Sequence, residues 1–191
     1  MAMHEQEDMT MKLMIASDIH GSAHYCRLLL DAFHKEQGQK LLLLGDILYH
    51  GPRNDLPEGY SPKEVAALLN AEKEHILCVQ GNCDSPVDQM VLEFPIMARY
   101  ALIYLGSRTV FATHGDVFNI SALPPLGAGD ILLHGHTHLP AWQPFCNHNI
   151  YMNPGSISLP KENTPSGYMI MTPEQCQWKT LDGTIYHTLD L

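Results

Sequence analysis

The stretch that decides the fold is KLLLLGD, residues 40–46. Four leucines in a row show no alternation of apolar and polar positions. A half-buried strand alternates, so a continuous run implies a strand covered on both faces, with a packed layer above and below it. Two further runs frame it. KLMIAS (12–17) ends in DIHG, and HILCVQ (75–80) ends in GNCD. The first gap holds a helix pattern: Ser22 as the cap, Cys26, Leu29, Leu30 and Phe33 at helical spacing, and Gly38 as the stop. The second gap closes with SPKEVAALLNAEKE, where Ser61, Pro62 and Glu64 read as an N-cap, a first-position proline and a capping box. Strand, helix, strand, helix, strand predicts parallel pairing with right-handed crossovers.

The second half changes character. RYALIYLGSRTVFATHGD reads as two strands around a Gly106-Ser107 turn, and DILLHGHTH as another strand. The segments AWQPF, IYMNPGS, GYMIMT, CQWKTL and TIYHTL then read as short antiparallel strands. Repeats, low-complexity tracts and linkers are lacking. The expectation is one α/β domain with two packed sheets over residues 11–191, preceded by a disordered leader at 1–10.

Composition narrows the function. The chain has 191 residues, 45% of them hydrophobic and 17% charged, and a formal charge of −10 from 11 basic and 21 acidic side chains. Long nucleic acids are held chiefly through phosphate contacts from a basic stripe, and these few scattered cations do not make one. A small phosphorylated ligand is compatible with the charge if a metal ion supplies the positive field. No apolar run approaches the ~20 residues of a membrane-spanning helix. The five cysteines are irregularly spaced without a CxxC, and residues 1–10 are polar and acidic, so reduced thiols in a cytoplasm are expected. The sequence leaves oligomeric state open, and a homo-oligomer is compatible with it.

Five predicted strand ends carry side chains able to bind metal: Asp18-Ile19-His20, Gly45-Asp46, Gly81-Asn82, Thr113-His114 and Gly135-His136-Thr137-His138. In open parallel sheets ligands bind beyond the carboxyl ends of the strands. On an extended chain, alternate residues point the same way, so Asp18 and His20 can face one ion, and His136 and His138 form a second alternating pair. Each motif alone is weak evidence; the set of five in order is not. Two carboxylates, one amide oxygen and four imidazoles suit Mn²⁺, Fe²⁺, Co²⁺, Ni²⁺ or Zn²⁺ rather than Ca²⁺. Seven ligands are too many for one tetrahedral ion and suit two ions sharing a carboxylate, an arrangement able to drive in-line displacement at phosphorus.

The motifs DIHG, GD, GNCD, THG and GHTH, in this order, resemble those of the calcineurin-like metallophosphoesterases, and GDILYHGPRN with NPGS narrows the likeness to small bacterial phosphodiesterases. The resemblance implies a four-layer α/β/β/α sandwich of two mixed sheets flanked by helices. It implies a dinuclear, metal-dependent phosphodiesterase, with Mn²⁺ the expected metal and a hydroxide between the ions as nucleophile. Asp18, His20 and His138 would hold one ion, Asn82, His114 and His136 the other, and Asp46 would bridge them. Asp46, Asn82 and His114 are thus the expected catalytic set. Related activities on the same site are a phosphomonoesterase or a nucleotide pyrophosphohydrolase, and a non-catalytic protein-interaction module is the alternative of another class.

One position departs from the family pattern. Most relatives have histidine after the asparagine, taken to protonate the leaving oxygen, and here Cys83 stands there. A thiol with a pKa of ~8.5 is a weak acid at pH 7, so Cys83 is expected to be neither essential ligand nor nucleophile, and good leaving groups are expected to react best. Asp84, His134 and Asn153 are expected to support the ligands. His50 and Arg53 lie in a loop that reads equally well as solvated or as reaching substrate, and Arg99 and Lys161 read as surface charges.

Overall fold

The computed structural model describes residues 11–191; the expected leader, residues 1–10, lies outside them. Two sheets form the centre. The first contains β1 (Leu13–Ala16), β2 (Lys40–Leu43), β3 (Ile76–Cys78), β9 (Gly167–Met171), β10 (Gln175–Thr180) and β11 (Ile185–Asp190), in the order β11-β10-β9-β1-β2-β3. The second contains β4 (Tyr100–Leu105), β5 (Arg108–Thr113), β6 (Ile131–His134), β7 (Pro140–Phe145) and β8 (Asn149–Pro154), in the order β4-β5-β6-β8-β7. Both are mixed. β1, β2 and β3 pair in parallel, as do β5, β6 and β8; antiparallel strands extend the first sheet on the β1 side and complete both edges of the second.

The leucine run behaves as its pattern demands. Leu41 and Leu43 face a core shared with helix α1 (Ala23–Glu36) and helix α2 (Pro62–Ala71). Leu42 and Leu44 face the opposite way, into a core with Val110, Leu133, Met152 and Trp178 between the two sheets. Every leucine of the run is buried. The two-sheet sandwich is therefore the observed architecture. Its outer layers differ: α1 and α2 cover the first sheet, whereas Phe111, Leu132 and Tyr151 on the outer face of the second are covered by Phe118 and Leu126 from an irregular segment.

Three local expectations need correction. HILCVQ is an edge strand, not a strand buried on both faces: Leu77 is 43% exposed because β3 has β2 on one side only. Helix α1 stops at Gln37, which takes the left-handed conformation (φ 53°), while Gly38 follows it against the Phe33 ring. The Ser61 side chain makes no cap bond, and Glu64 pairs across to Arg27 instead of closing a capping box. A capping box does form at α3 (Pro86–Gln89), between Ser85 and Asp88.

Candidate metal centre

β1, β2, β3, β5 and β6 all deliver their carboxyl ends to one place, and the seven predicted ligands follow those ends. The local reason differs from strand alternation. β1 ends at Ala16 and β6 at His134, before the paired ligands begin. Asp18, His20, Asp46, His136 and His138 all have positive φ, between 49° and 66°. Left-handed backbone is costly for non-glycine residues and persists where the surroundings over-determine it, most often at functional sites. The paired motifs converge because both members of each pair bend left-handed, not because they lie on an extended strand.

The close packing of these turns explains two glycines. A Cβ on Gly45 (φ 95°) would lie 2.5 Å from the Gly81 Cα, and a Cβ on Gly81 would fall on the Asp46 carboxylate. The loops after β2 and β3 can meet only without side chains there. Asp84 then fastens them together. Its Oδ2 accepts from the amides of Asp46 (2.8 Å) and Gly81 (2.7 Å), and its Oδ1 accepts from Ile47 (2.8 Å). Burial pushes the Asp84 carboxyl up, against the opposing pull of these amides. Asp84 thus ties together the backbones of the turns that carry Asp46 and Asn82.

The donor atoms form two groups. His138 Nε2 lies 3.3 Å and His20 Nε2 3.6 Å from Asp18 Oδ1, and the two Nε2 atoms are 3.2 Å apart. On the other side, His114 Nε2 lies 3.0 Å from Asn82 Oδ1 and 3.1 Å from His136 Nδ1. Asp46 Oδ2 stands between, 3.7 Å from His20 Nε2 and 3.5 Å from His114 Nε2. The structure thus brings all seven predicted residues together, with Asp46 in the middle.

Tautomers follow from the partners. A carbonyl oxygen can only accept, so His20 donates its Nδ1–H to Tyr49 O (2.8 Å), His114 to Leu44 O (2.7 Å) and His138 to Leu159 O (2.7 Å). Each ring then turns a bare Nε2 into the centre, as backbone-oriented metal ligands do. Asp18 uses Oδ2 for the His136 amide (3.1 Å), while its buried Oδ1 accepts no hydrogen bond. Facing lone pairs beside an unpartnered carboxylate oxygen require a cation. A proton fills that need in part. Burial pushes the Asp18 carboxyl up, yet the imidazoles of His138 and His20 outweigh it and hold it well below the usual range. Burial likewise lowers His114, but Asp46 and Asp18 prevail and raise it to about 9. The donor set and its charge therefore fit divalent metal ions.

The supporting residues are also placed. Asn153 is fully buried; its Nδ2 faces Gly135 O, Thr137 Oγ1 and the Tyr151 hydroxyl at 2.9–3.0 Å, which fixes the His136–His138 turn from behind. His134 stacks on Tyr151 with centroids 4.5 Å apart, and burial pushes it down to about 4, so it is a neutral packed ring. Sequence reasoning missed Ser156 and Ser158, whose hydroxyls both donate to Asp18 O at 3.0 Å. Only their position, Ser156 closing NPGS and Ser158 two residues on, hinted at them. Cys83 donates its backbone amide to Asp46 Oδ1 (2.8 Å), and burial, reinforced by Asp46, pushes its thiol up to about 12. Its Sγ lies close enough to His20 and Asp46 donor atoms to share an ion with them, which the sequence did not anticipate.

A cavity of about 340 Å³ opens onto His20, Asp46, Asn82, Cys83, His136 and His138. A larger, mostly apolar groove of about 560 Å³, between Tyr49, Tyr60, α2 and Val91, contains none of the seven residues. His50 packs against Tyr49 and Tyr60, and Arg99 lies 3.9 Å from Asp116. No helix among the described residues is long and apolar enough to cross a membrane.

A two-sheet sandwich with Asp, Asn and His side chains gathered at its strand ends defines a phosphoesterase class. The profile of the calcineurin-like phosphoesterase superfamily domain matches residues 11–175, and the chain belongs to that family of phosphoester hydrolases. It is 48% identical over 158 residues to phosphodiesterase YfcE of Escherichia coli K12, across 83% of this chain and 85% of that protein. The solved structure of YfcE, described as a phosphoesterase from E. coli, superposes with a TM-score of 0.90 at 43% identity, covering 94% of this chain and 98% of that one. A probable metallophosphoesterase of Bacillus subtilis, YsnB, is 26% identical over 172 residues, 86% of this chain and 85% of that protein. A predicted phosphoesterase from Streptococcus pneumoniae TIGR4 shares the fold, with a TM-score of 0.60 at 21% identity over 95% of this chain and 98% of that one.

Proposed function

We propose that the chain is a dinuclear phosphodiesterase acting on small phosphate diesters. The observation that carries this reading is Asp46 Oδ2, lying 3.7 Å from one histidine group and 3.5 Å from the other. Asp18, His20 and His138 would hold one ion, and Asn82, His114 and His136 the second, with Asp46 shared. Mixed oxygen and imidazole donors admit Mn²⁺, Fe²⁺, Co²⁺, Ni²⁺ or Zn²⁺, and the family resemblance favours Mn²⁺ among them. Two such ions supply Lewis acidity at the phosphoryl oxygens and an activated water for in-line attack.

The protein's own part is placement. Carbonyls of Tyr49, Leu44 and Leu159 hold three imidazoles in the tautomer that presents Nε2. Asp84 fixes the turns carrying Asp46 and Asn82. Where a leaving-group acid is usual, Cys83 offers a thiol that burial and the Asp46 carboxylate push up, a weak acid in place of an imidazolium. That supports esters with good leaving groups, such as aryloxides, over those that expel alkoxides. The cytoplasmic expectation rests on the five cysteines, all free thiols.

The test is hydrolysis of bis(p-nitrophenyl) phosphate and p-nitrophenyl phosphate by chelator-stripped protein before and after Mn²⁺ reconstitution. The expected result is metal-dependent turnover with the diester preferred. A reconstituted protein that hydrolyses neither ester, or the monoester better, refutes the reading.

A further inference from the structure

Two cations share the walls of the cavity that holds the metal centre. Arg53 and Lys161 both line it. Neither makes an ion pair among the described residues, a state they share with Lys35, Lys40, Lys63 and Arg108, but only these two stand in the wall of the cavity. The cavity offers them no spare counter-charge, because the one carboxylate in its lining is Asp46, which belongs to the metal centre. In a chain of net charge −10, two unpaired cations in one small polar cavity form a local positive field against an acidic background.

Their placement relative to the centre is tied by the backbone. Arg53 follows by four residues the Tyr49 carbonyl that orients His20, and Asn54 beside it bonds back to His50 O at 2.8 Å. Lys161 follows by two residues the Leu159 carbonyl that orients His138, and its own amide donates to His138 O at 3.3 Å. Both cations are thus anchored beside the His20–His138 pair.

The opposite side is different. A second cavity, about 640 Å³, opens across His136, and its walls carry Asp116 and Glu162 but no lysine or arginine. The two sides of the centre therefore favour different substituents.

We infer that Arg53 and Lys161 form an anion subsite beside the metal centre, and that the preferred substrates are small phosphodiesters that carry a second phosphate. Guanidinium and ammonium groups suit phosphate oxygens, the first as a two-pronged donor and the second as a point charge. This inference rests on the phosphodiesterase reading.

The test compares two p-nitrophenyl diesters with the same leaving group, one with an arm ending in phosphate and one with an arm ending in a hydroxyl. Wild type, Arg53→Ala/Lys161→Ala and the charge-retaining Arg53→Lys/Lys161→Arg are assayed with Mn²⁺, with folding and metal content checked. The expected result is a kcat/KM ratio favouring the phosphate arm by about tenfold in wild type. That ratio falls to about one in the double alanine variant, through KM, and is largely kept in the charge-retaining variant. Equal kcat/KM for both arms in wild type, or a preference that survives the double alanine variant, overturns the inference alone. If wild type hydrolyses neither diester, the phosphodiesterase reading itself fails and takes the subsite with it.

Discussion

The Nε2 atoms of His20 and His138 lie 3.2 Å apart although 118 residues separate them in the chain. Both rings give their Nδ1–H to backbone carbonyls, so two nitrogen lone pairs face each other beside a carboxylate oxygen that accepts no hydrogen bond. Such an arrangement is unfavourable without a cation and favourable with one. Asp46 extends the same logic to the second group of donors.

Removing the shared carboxylate is therefore expected to be the most damaging single change. Asp46→Ala should lower metal-dependent diester hydrolysis by about a thousandfold. His138→Ala should reduce bound Mn²⁺ from two equivalents toward one. Metal analysis after reconstitution and gel filtration, together with steady-state rates, checks both. Near-wild-type turnover in Asp46→Ala contradicts the bridging role.

Cys83 should behave in the opposite way. Cys83→Ala is expected to keep activity on aryl diesters within about threefold, because a thiol pushed up to about 12 is a weak acid in place of an imidazolium. Cys83→His should gain most on poor leaving groups. A series of diesters of graded leaving-group pKa reads this as a shallower dependence in the histidine variant. A loss in Cys83→Ala as complete as in Asp46→Ala would make Cys83 a ligand or nucleophile, a role its nearness to His20 and Asp46 makes worth testing.

Asp84 touches no donor atom of the centre but accepts three amides from the turns that carry it. Asp84→Asn turns one acceptor oxygen into a donor that faces an N–H. The expected cost is about 2 kcal/mol of stability, with a roughly ten- to hundredfold fall in metal affinity. Urea denaturation and Mn²⁺ titration of the variant measure the two effects separately.

Away from the site, Glu36 joins three elements. It accepts from Lys12 (3.0 Å), Lys179 (2.5 Å) and the Tyr168 hydroxyl (3.0 Å), and its side chain is 13% exposed. Burial pushes its carboxyl up, but Lys179, Lys12 and Tyr168 together hold it below its ordinary 4.5. A lowered folded value means the contribution is present above pH 4.5 and is lost as pH falls through that lower value. Glu36→Gln should cost about 1 kcal/mol at pH 7, or about 3 °C in Tm, and the difference from wild type should shrink in acid. Thermal melts from pH 7 down to pH 3 decide it; a difference that grows in acid reverses the sign.

The chain itself determined the alternation of strands and helices in its first half and the chemistry of the strand ends. Leu41–Leu44 carry no polar position, so both faces of β2 had to be covered, and burial in two separate cores follows from that pattern. The ligand types at 18, 20, 46, 82, 114, 136 and 138 were also legible, because coordination chemistry depends on residue identity and on strand ends that can be read locally. Tertiary structure alone decided the rest. The left-handed backbone of Asp18, His20, His136 and His138 replaced the strand alternation first expected. The carbonyls that set the tautomers, the three amides on Asp84, the serine hydroxyls on Asp18 and the seating of Arg53 and Lys161 in one cavity wall all join distant segments. Hydrogen bonds and charge fields act through space, and residues far apart in the chain leave no periodic trace of them in the sequence.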